Sequence, residues 1–232
     1  MKYCEAFKIE VPDSFPLSAW ESFYVSGKLV TDNNADVGAE FVLAMGCVAY
    51  RYKTCKESID SMIACWHACG KALTFDGYYS MQRDLFSFFT CGLSVIESLA
   101  YAIYITATQK NPSALTWGDL KARKQKTDPV EISATLTLAY PGSHPVITEI
   151  NNLTATPEWK DWKEYRNTMI HRSLPSRLIE GSMGGPPPPN EMVKYAKSWS
   201  HPELRANESQ MAVKLDWLAG HVEKIAAAAA GL

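Results

Sequence analysis

The stretch LFSFFTCGLSVIESLAYAIYI, from Leu85 to Ile105, decides the fold. It carries Phe86, Phe88, Phe89, Leu93, Val95, Ile96, Leu99, Ile103 and Ile105, no Lys or Arg, and one charge, Glu97. No proline interrupts it, so the pattern predicts the centre of a long helix from about Tyr78 to Thr108, closed by Asn111-Pro112. A run of this length reaches across a bilayer. Glu97, the many Ser and Thr residues and the lack of a second such run favour the central helix of a soluble bundle instead. Within it, Ser87, Thr90, Ser94, Glu97, Ser98 and Tyr101 recur at spacings of three and four and line up as a narrow polar stripe. Such a stripe on an apolar helix is expected to face another helix or a cleft, where Glu97 needs a partner.

Working outward, residues 1–16 hold Pro12, Pro16 and several aromatics, which predicts an extended arm docked on the body. A short helix is expected from Ser18 to about Leu29, then a long proline-free one from Ala35 to Cys69, ended by Gly70. Residues 113–145 are irregular, with a short helical stretch from Val130 to Ala139. Thr156-Pro157-Glu158 opens a helix running to about His171, with Thr as cap and Pro at the first position. The segment 174–208, with its tetraproline run Pro186 to Pro189, is expected as a loop that includes Trp199-Ser200-His201-Pro202-Glu203. The last helix, Ser209 to Ala230, places Met211, Leu215, Leu218, Val222 and Ile225 on one face.

With 232 residues, 47% hydrophobic and 21% charged, the chain can bury a sizeable core. A net charge of -2 supplies no global attraction to nucleic acid, so such contacts must come from local clusters. The clearest is Lys121, Arg123, Lys124 and Lys126, for which a solvated surface loop is the competing reading. The six cysteines lie mostly in apolar helical segments, and Met1 to Glu5 lacks the apolar run of a signal peptide. These features predict a reduced, cytoplasmic protein. Cys65 and Cys69 would share a helix face, but His67 points about 200° away, so buried thiols are favoured over a zinc site. The chain has no P-loop, HExxH, Rossmann glycine pattern or nucleophile elbow.

Chemistry concentrates in Arg166-Asn167-Thr168-Met169-Ile170-His171, followed by Arg172-Ser173-Leu174-Pro175. On a helical wheel with Trp159 at zero, Trp162, Tyr165, Met169 and Ile170 form an apolar arc from about 240° to about 20°. Arg166 falls inside that arc at about 340°, where an arginine needs a partner or a packed stem. Asn167 and His171 lie together just off it. The imidazole of His171 can take a proton from a ribose 2′-hydroxyl, and Arg166 has the donor fork to hold a phosphate. The two are about 140° apart, so a second helix or subunit must complete a cleft. Two plainer readings compete: His171 as a helix C-terminal cation, and Arg166 as a structural partner of buried Glu97.

The run Tyr165 to Arg172 resembles the R-N-x-x-x-H form of the HEPN signature (higher eukaryotes and prokaryotes nucleotide-binding), and the flanking helices are similar to that family's all-α, up-down bundle. The chain then divides into an N-terminal arm and short helix, residues 1–34, which depart from the family's pattern, and a HEPN-like helical domain, 35–232, whose last helix packs back on the bundle. The resemblance implies a metal-independent endoribonuclease of toxin–antitoxin or defence type, without cofactor, acting on RNA as a homodimer, with an antitoxin protein as a further partner and no membrane. Arg166 and His171 would be the catalytic pair, and Asn167, Glu97 and Arg172 supporting or substrate-binding residues. A non-catalytic module of the same fold, binding a nucleotide, RNA or protein, is the alternative.

Overall fold

A computed structural model describes residues 1–69, 74–118, 127–171, 176–180, 196–201 and 204–232. Its centre is a hairpin of two long helices, α2 (Ala35–Cys69) and α3 (Phe75–Lys110), each about 50 Å long at 1.5 Å per residue. They run antiparallel: Glu40 meets Tyr101, Arg51 meets Ser94 and Ser98, Cys55 meets Phe88, and Cys65 meets Gly77. Thr74 caps α3 by accepting from the Gly77 amide, and Asn111 ends it. α3 is long and apolar enough to cross a membrane, and 72% of its most apolar window is buried inside the protein. Packing against neighbouring helices accounts for that composition.

The remaining helices wrap this hairpin. α1 (Leu17–Thr31) sets Trp20 and Phe23 against it, both fully buried, with Trp20 Nε1 donating to the Met45 carbonyl. α4 (Pro129–Leu136), expected from Val130 to Ala139, starts one residue earlier and ends at Leu136; Asp128 caps it, and the Ser133 hydroxyl ties it to α5 by donating to Asn151 at 2.7 Å. α5 (Pro145–Thr154) is a helix beyond those expected. Its signal is a proline at the first position and Val146, Ile147, Ile150 and Leu153 on one buried face. α6 (Pro157–His171) begins as expected, with the Thr156 hydroxyl accepting from the Trp159 amide at 3.2 Å. α7 (Glu208–Ala229) buries Met211, Leu215, Leu218, Val222 and Ile225, the face expected from their spacing. It packs on α1 and α5 and reaches α2 and α3, which closes the bundle.

The chain is mostly helical, in line with the all-α expectation, with two small antiparallel sheets added among the described residues. The N-terminal arm is a hairpin, β1 (Lys2–Cys4) paired with β2 (Ile9–Val11), turned at Lys8, whose φ of 56° is in the left-handed region. Its aromatics dock unevenly: Phe7 rests edge-on against Trp20 and Tyr24, Phe15 is fully buried, and Tyr3 stays exposed. Inside 174–208, expected as a loop, β3 (Ser176–Glu180), β4 (Ala196–His201) and β5 (Leu204–Asn207) form a second sheet in the order β3-β4-β5. Trp199, Ser200 and His201 are therefore strand residues rather than loop, paired with Arg177 and Ser176 of β3 and with residues of β5. The tetraproline run lies outside the described residues.

α6 is fixed to α3 by aromatic packing. The Trp162 ring contacts Phe88 at 4.8 Å and Phe89 at 5.1 Å between centroids, and Tyr165 stacks on Phe89 at 4.2 Å. Gly92 makes this possible: a Cβ there would come within 2.0 Å of the Trp162 ring. The docking rotates the buried arc of α6 by about 40° from the expected one. Thr168 is fully buried, while Ile170, expected on the core face, is 45% exposed.

Candidate functional site

The polar stripe of α3 turns toward α2. Ser94, Glu97, Ser98 and Tyr101 line an open groove of about 440 Å³ between the two helices, faced by Glu40 and Arg51. Leu43, Ala44 and Cys47 supply its apolar wall. Ser87 and Thr90, the other members of the stripe, do not reach it: Ser87 lies 3.9 Å from Cys91 Sγ, and the Thr90 hydroxyl is buried without a partner among the described residues.

The groove is ordered by hydrogen bonds that cross it. Arg51 Nη1 donates to Ser98 Oγ at 2.7 Å and to the Ser94 carbonyl at 3.3 Å. The Tyr101 hydroxyl donates to Glu40 Oε2 at 2.5 Å. Ser94 Oγ donates to Glu97 Oε2 at 3.5 Å, and Arg166 Nη1 donates to Glu97 Oε1 at 3.3 Å. Two arginines from different helices, Arg51 and Arg166, are thus anchored on one turn of α3, residues 94–98. Tyr101 continues into a line of stacked rings, with Tyr104 at 6.4 Å and Trp117 a further 6.1 Å on.

Arg166 therefore has the partner that its place in the apolar arc demanded, and the side chains of Arg166 and Glu97 remain 28% and 25% exposed. The pairing leaves Arg166 Nε buried and without a partner among the described residues. Asn167 is half-buried beside it, and His171 stands exposed at the end of α6. The structure brings Glu97 and Arg166 together and leaves His171 on a different side of the helix. Arg172 and the basic cluster Lys121, Arg123, Lys124 and Lys126 lie outside the described residues; Thr127, which follows the cluster in the chain, lines the groove.

Arg51 is a site residue that sequence reasoning missed. Its signal was present: on α2 it lies four residues beyond Cys47 and one beyond the exposed Tyr50, on a helix otherwise rich in apolar positions. Only the antiparallel register shows that it meets Ser94 and Ser98. Next to Arg166, burial and the charge of Asp161 push the Tyr165 phenol well above its ordinary pKa, so it stays a neutral hydroxyl. Among the described residues no group of three or more His, Cys, Asp or Glu is placed to hold a metal ion. Cys4, Cys47, Cys55, Cys65 and Cys91 are free thiols, and burial raises Cys55 well above the usual thiol range. No family model, no curated protein and no solved structure matches this chain.

Proposed function

We propose that the chain is a metal-independent endoribonuclease of HEPN type, acting as a toxin or defence effector, with Arg166 and His171 as its catalytic pair. The observation that carries this reading is the Arg166 to Glu97 contact at 3.3 Å. It holds a guanidinium at the edge of a polar groove, partly exposed, on the helix whose last residue is an exposed histidine. In the reaction, His171 takes the proton of the ribose 2′-hydroxyl, and the 2′-oxygen forms a bond to phosphorus. The bond from phosphorus to the 5′-oxygen breaks, and that oxygen takes a proton from water. The products are a 2′,3′-cyclic phosphate and a 5′-hydroxyl end. Arg166 neutralises charge on the phosphoryl oxygens, and Glu97 positions it. Asn167, beside Arg166, supplies an amide to the substrate or to the imidazole.

A homodimer belongs to this reading. Arg166 and His171 point about 140° apart on one helix, so the His171 that serves a given Arg166 comes from a second copy across a shared cleft. Cleavage of single-stranded RNA in EDTA, with DNA spared, tests the assignment. His171→Ala is expected to lower cleavage by about 10²–10⁴-fold. Its melting temperature should be nearly unchanged, because the side chain is exposed. Arg166→Ala should lose cleavage and some stability together, since its guanidinium bonds Glu97 of α3. Wild-type-like cleavage by His171→Ala would remove the nuclease assignment. A monomer at micromolar concentration by light scattering would remove the shared cleft.

The second reading is a binding module of the same fold, with an RNA, nucleotide or protein ligand and no turnover. It is favoured by the Arg166 to Glu97 pair itself, which also serves to join α6 to α3. Tight RNA binding with no cleavage of any substrate would select it.

A further inference from the structure

We propose that the α2–α3 groove binds one nucleotide of a single-stranded RNA, with Arg51 holding its backbone phosphate. This rests on the ribonuclease reading and extends it from the cleavage motif to a separate subsite.

Arg51 brings a positive charge to the groove. Its guanidinium is half-buried and directed by two hydrogen bonds from Nη1, to Ser98 Oγ and the Ser94 carbonyl, and no carboxylate pairs with it among the described residues. A guanidinium held this way keeps Nε and Nη2 for an oxyanion, and its order is already established before a ligand arrives. The carboxylates of the groove have other work: Glu97 accepts from Arg166 and Ser94, and Glu40 from Tyr101.

The rest of the lining narrows the ligand. Two carboxylates repel a dense polyanion, so the groove suits one phosphate followed by hydroxyl or amino donors that carboxylates accept. An apolar wall of Leu43, Ala44 and Cys47, with the Tyr101 ring beside it, suits the flat face of a base. A nucleotide of RNA presents that sequence of groups, including the 2′-hydroxyl as a donor. The volume of about 440 Å³ is in the range of small-molecule sites. Arg51 and Arg166 are both tied to residues 94–98, about 6 Å of helix rise, so a strand held at Arg51 continues to the motif on α6.

The test uses the full chain carrying His171→Ala and a fluorescein-labelled single-stranded oligoribonucleotide read by anisotropy over a salt series. Adding Arg51→Ala is expected to weaken binding about tenfold or more, and to reduce the slope of log affinity against log salt by about 0.7, one single-strand phosphate contact. Arg51→Lys should keep the slope while losing part of the affinity. The matching DNA oligomer should bind more weakly. If Arg51 only clasps α2 to α3, Arg51→Ala will lower the melting temperature and leave the slope as it was, which overturns the proposal.

A second measurement does not depend on that variant folding. Cys47 lines the groove as a free, half-buried thiol. Saturating RNA should slow its alkylation several-fold, read by mass spectrometry, while Cys65, bonded to the Gly77 carbonyl near the far end of the hairpin, reacts as before. An unprotected Cys47 overturns the proposal. Cleavage by the wild type together with an unchanged Arg51→Ala slope overturns this subsite alone, whereas a wild type that neither binds nor cleaves RNA overturns the ribonuclease reading and the subsite with it.

Discussion

The groove between α2 and α3 and the seam where α6 meets α3 and α7 both place polar atoms among apolar side chains, and they treat them oppositely. In the groove the polar groups are paired across helices: Arg51 with Ser98, Tyr101 with Glu40, Arg166 with Glu97. In the seam, Trp162 Nε1, Tyr165 OH, Trp217 Nε1 and His221 Nδ1 are buried without a partner among the described residues. Ring contact dominates the seam, with Trp162 to Trp217 at 6.2 Å, Trp217 to His221 at 4.9 Å and Tyr165 on Phe89 at 4.2 Å, and one ion pair, Lys214 to Asp161 at 3.3 Å, lies at its edge. Shape and apolar area outweigh the lost hydrogen bonds there, since each large aromatic buries 150 Å² or more in general. In the groove directed polar contacts keep the walls at a set spacing. One region is built for cohesion and the other for a site.

The strongest way to break that contrast is at the seam's centre. Trp162→Ala should destabilise by about 3–5 kcal/mol in urea denaturation, the range for deleting a buried aromatic. Gly92→Ala, which drives a methyl into the same ring, should cost about 1–3 kcal/mol. Near-wild-type stability of Trp162→Ala would mean that α6 is held by something other than its rings.

A pair of tyrosines sharpens the comparison. Tyr101→Phe removes the hydrogen bond from the phenol to Glu40 and should cost about 0.5–1.5 kcal/mol. Tyr165→Phe removes a buried hydroxyl that has no partner and should be neutral or stabilising by up to about 1 kcal/mol. Equal losses in the two variants would contradict the difference drawn between groove and seam.

The smallest effect concerns pH. Burial, helped by the charge of Lys224, holds His221 below the ordinary histidine value of 6.5 against the opposing pull of Glu149 and Glu158. The folded state then binds fewer protons here than the unfolded chain. Its contribution is complete above pH 6.5 and is lost as pH falls through the lower folded-state value. His221→Gln should flatten the acid side of the melting-temperature profile between about pH 7.5 and 5, by no more than about 2–4 °C, the shift that 1 kcal/mol produces in a chain of this size. Parallel wild-type and variant profiles would show that His221 does not respond to its surroundings.

Much of the helical layout was legible because it depends on near neighbours. Ala35 to Cys69 is a proline-free run, and its helix has those bounds; Thr156-Pro157 marks the start of α6 by cap chemistry. The face of α7 follows from the spacing of Met211, Leu215, Leu218, Val222 and Ile225. The stripe on α3 pointed to a cleft, and the misplaced Arg166 pointed to Glu97 as its partner. The strands at 196–201 and 204–207 were not legible, because strand pairing joins residues whose local pattern reads as loop. Ile170 was misplaced because a wheel shows which residues share a face but not which neighbour presses on it; Trp162 against Gly92 decides that.

By itself, then, the sequence determined where most of the helices lie to within a few residues, most of their apolar faces, and that an arginine, an amide and a histidine sit within six residues of one helix. These are properties of 3.6-residue periodicity and of capping, which act within a few residues. Only the tertiary structure decided that Arg51 and Arg166, 115 positions apart in the chain, share one turn of α3, that a groove opens there, and that His171 faces away from it. The physical reason is that the register between helices is set by the packing of Trp162, Phe88 and Phe89 and by hydrogen bonds across the hairpin, interactions between residues that no local pattern relates.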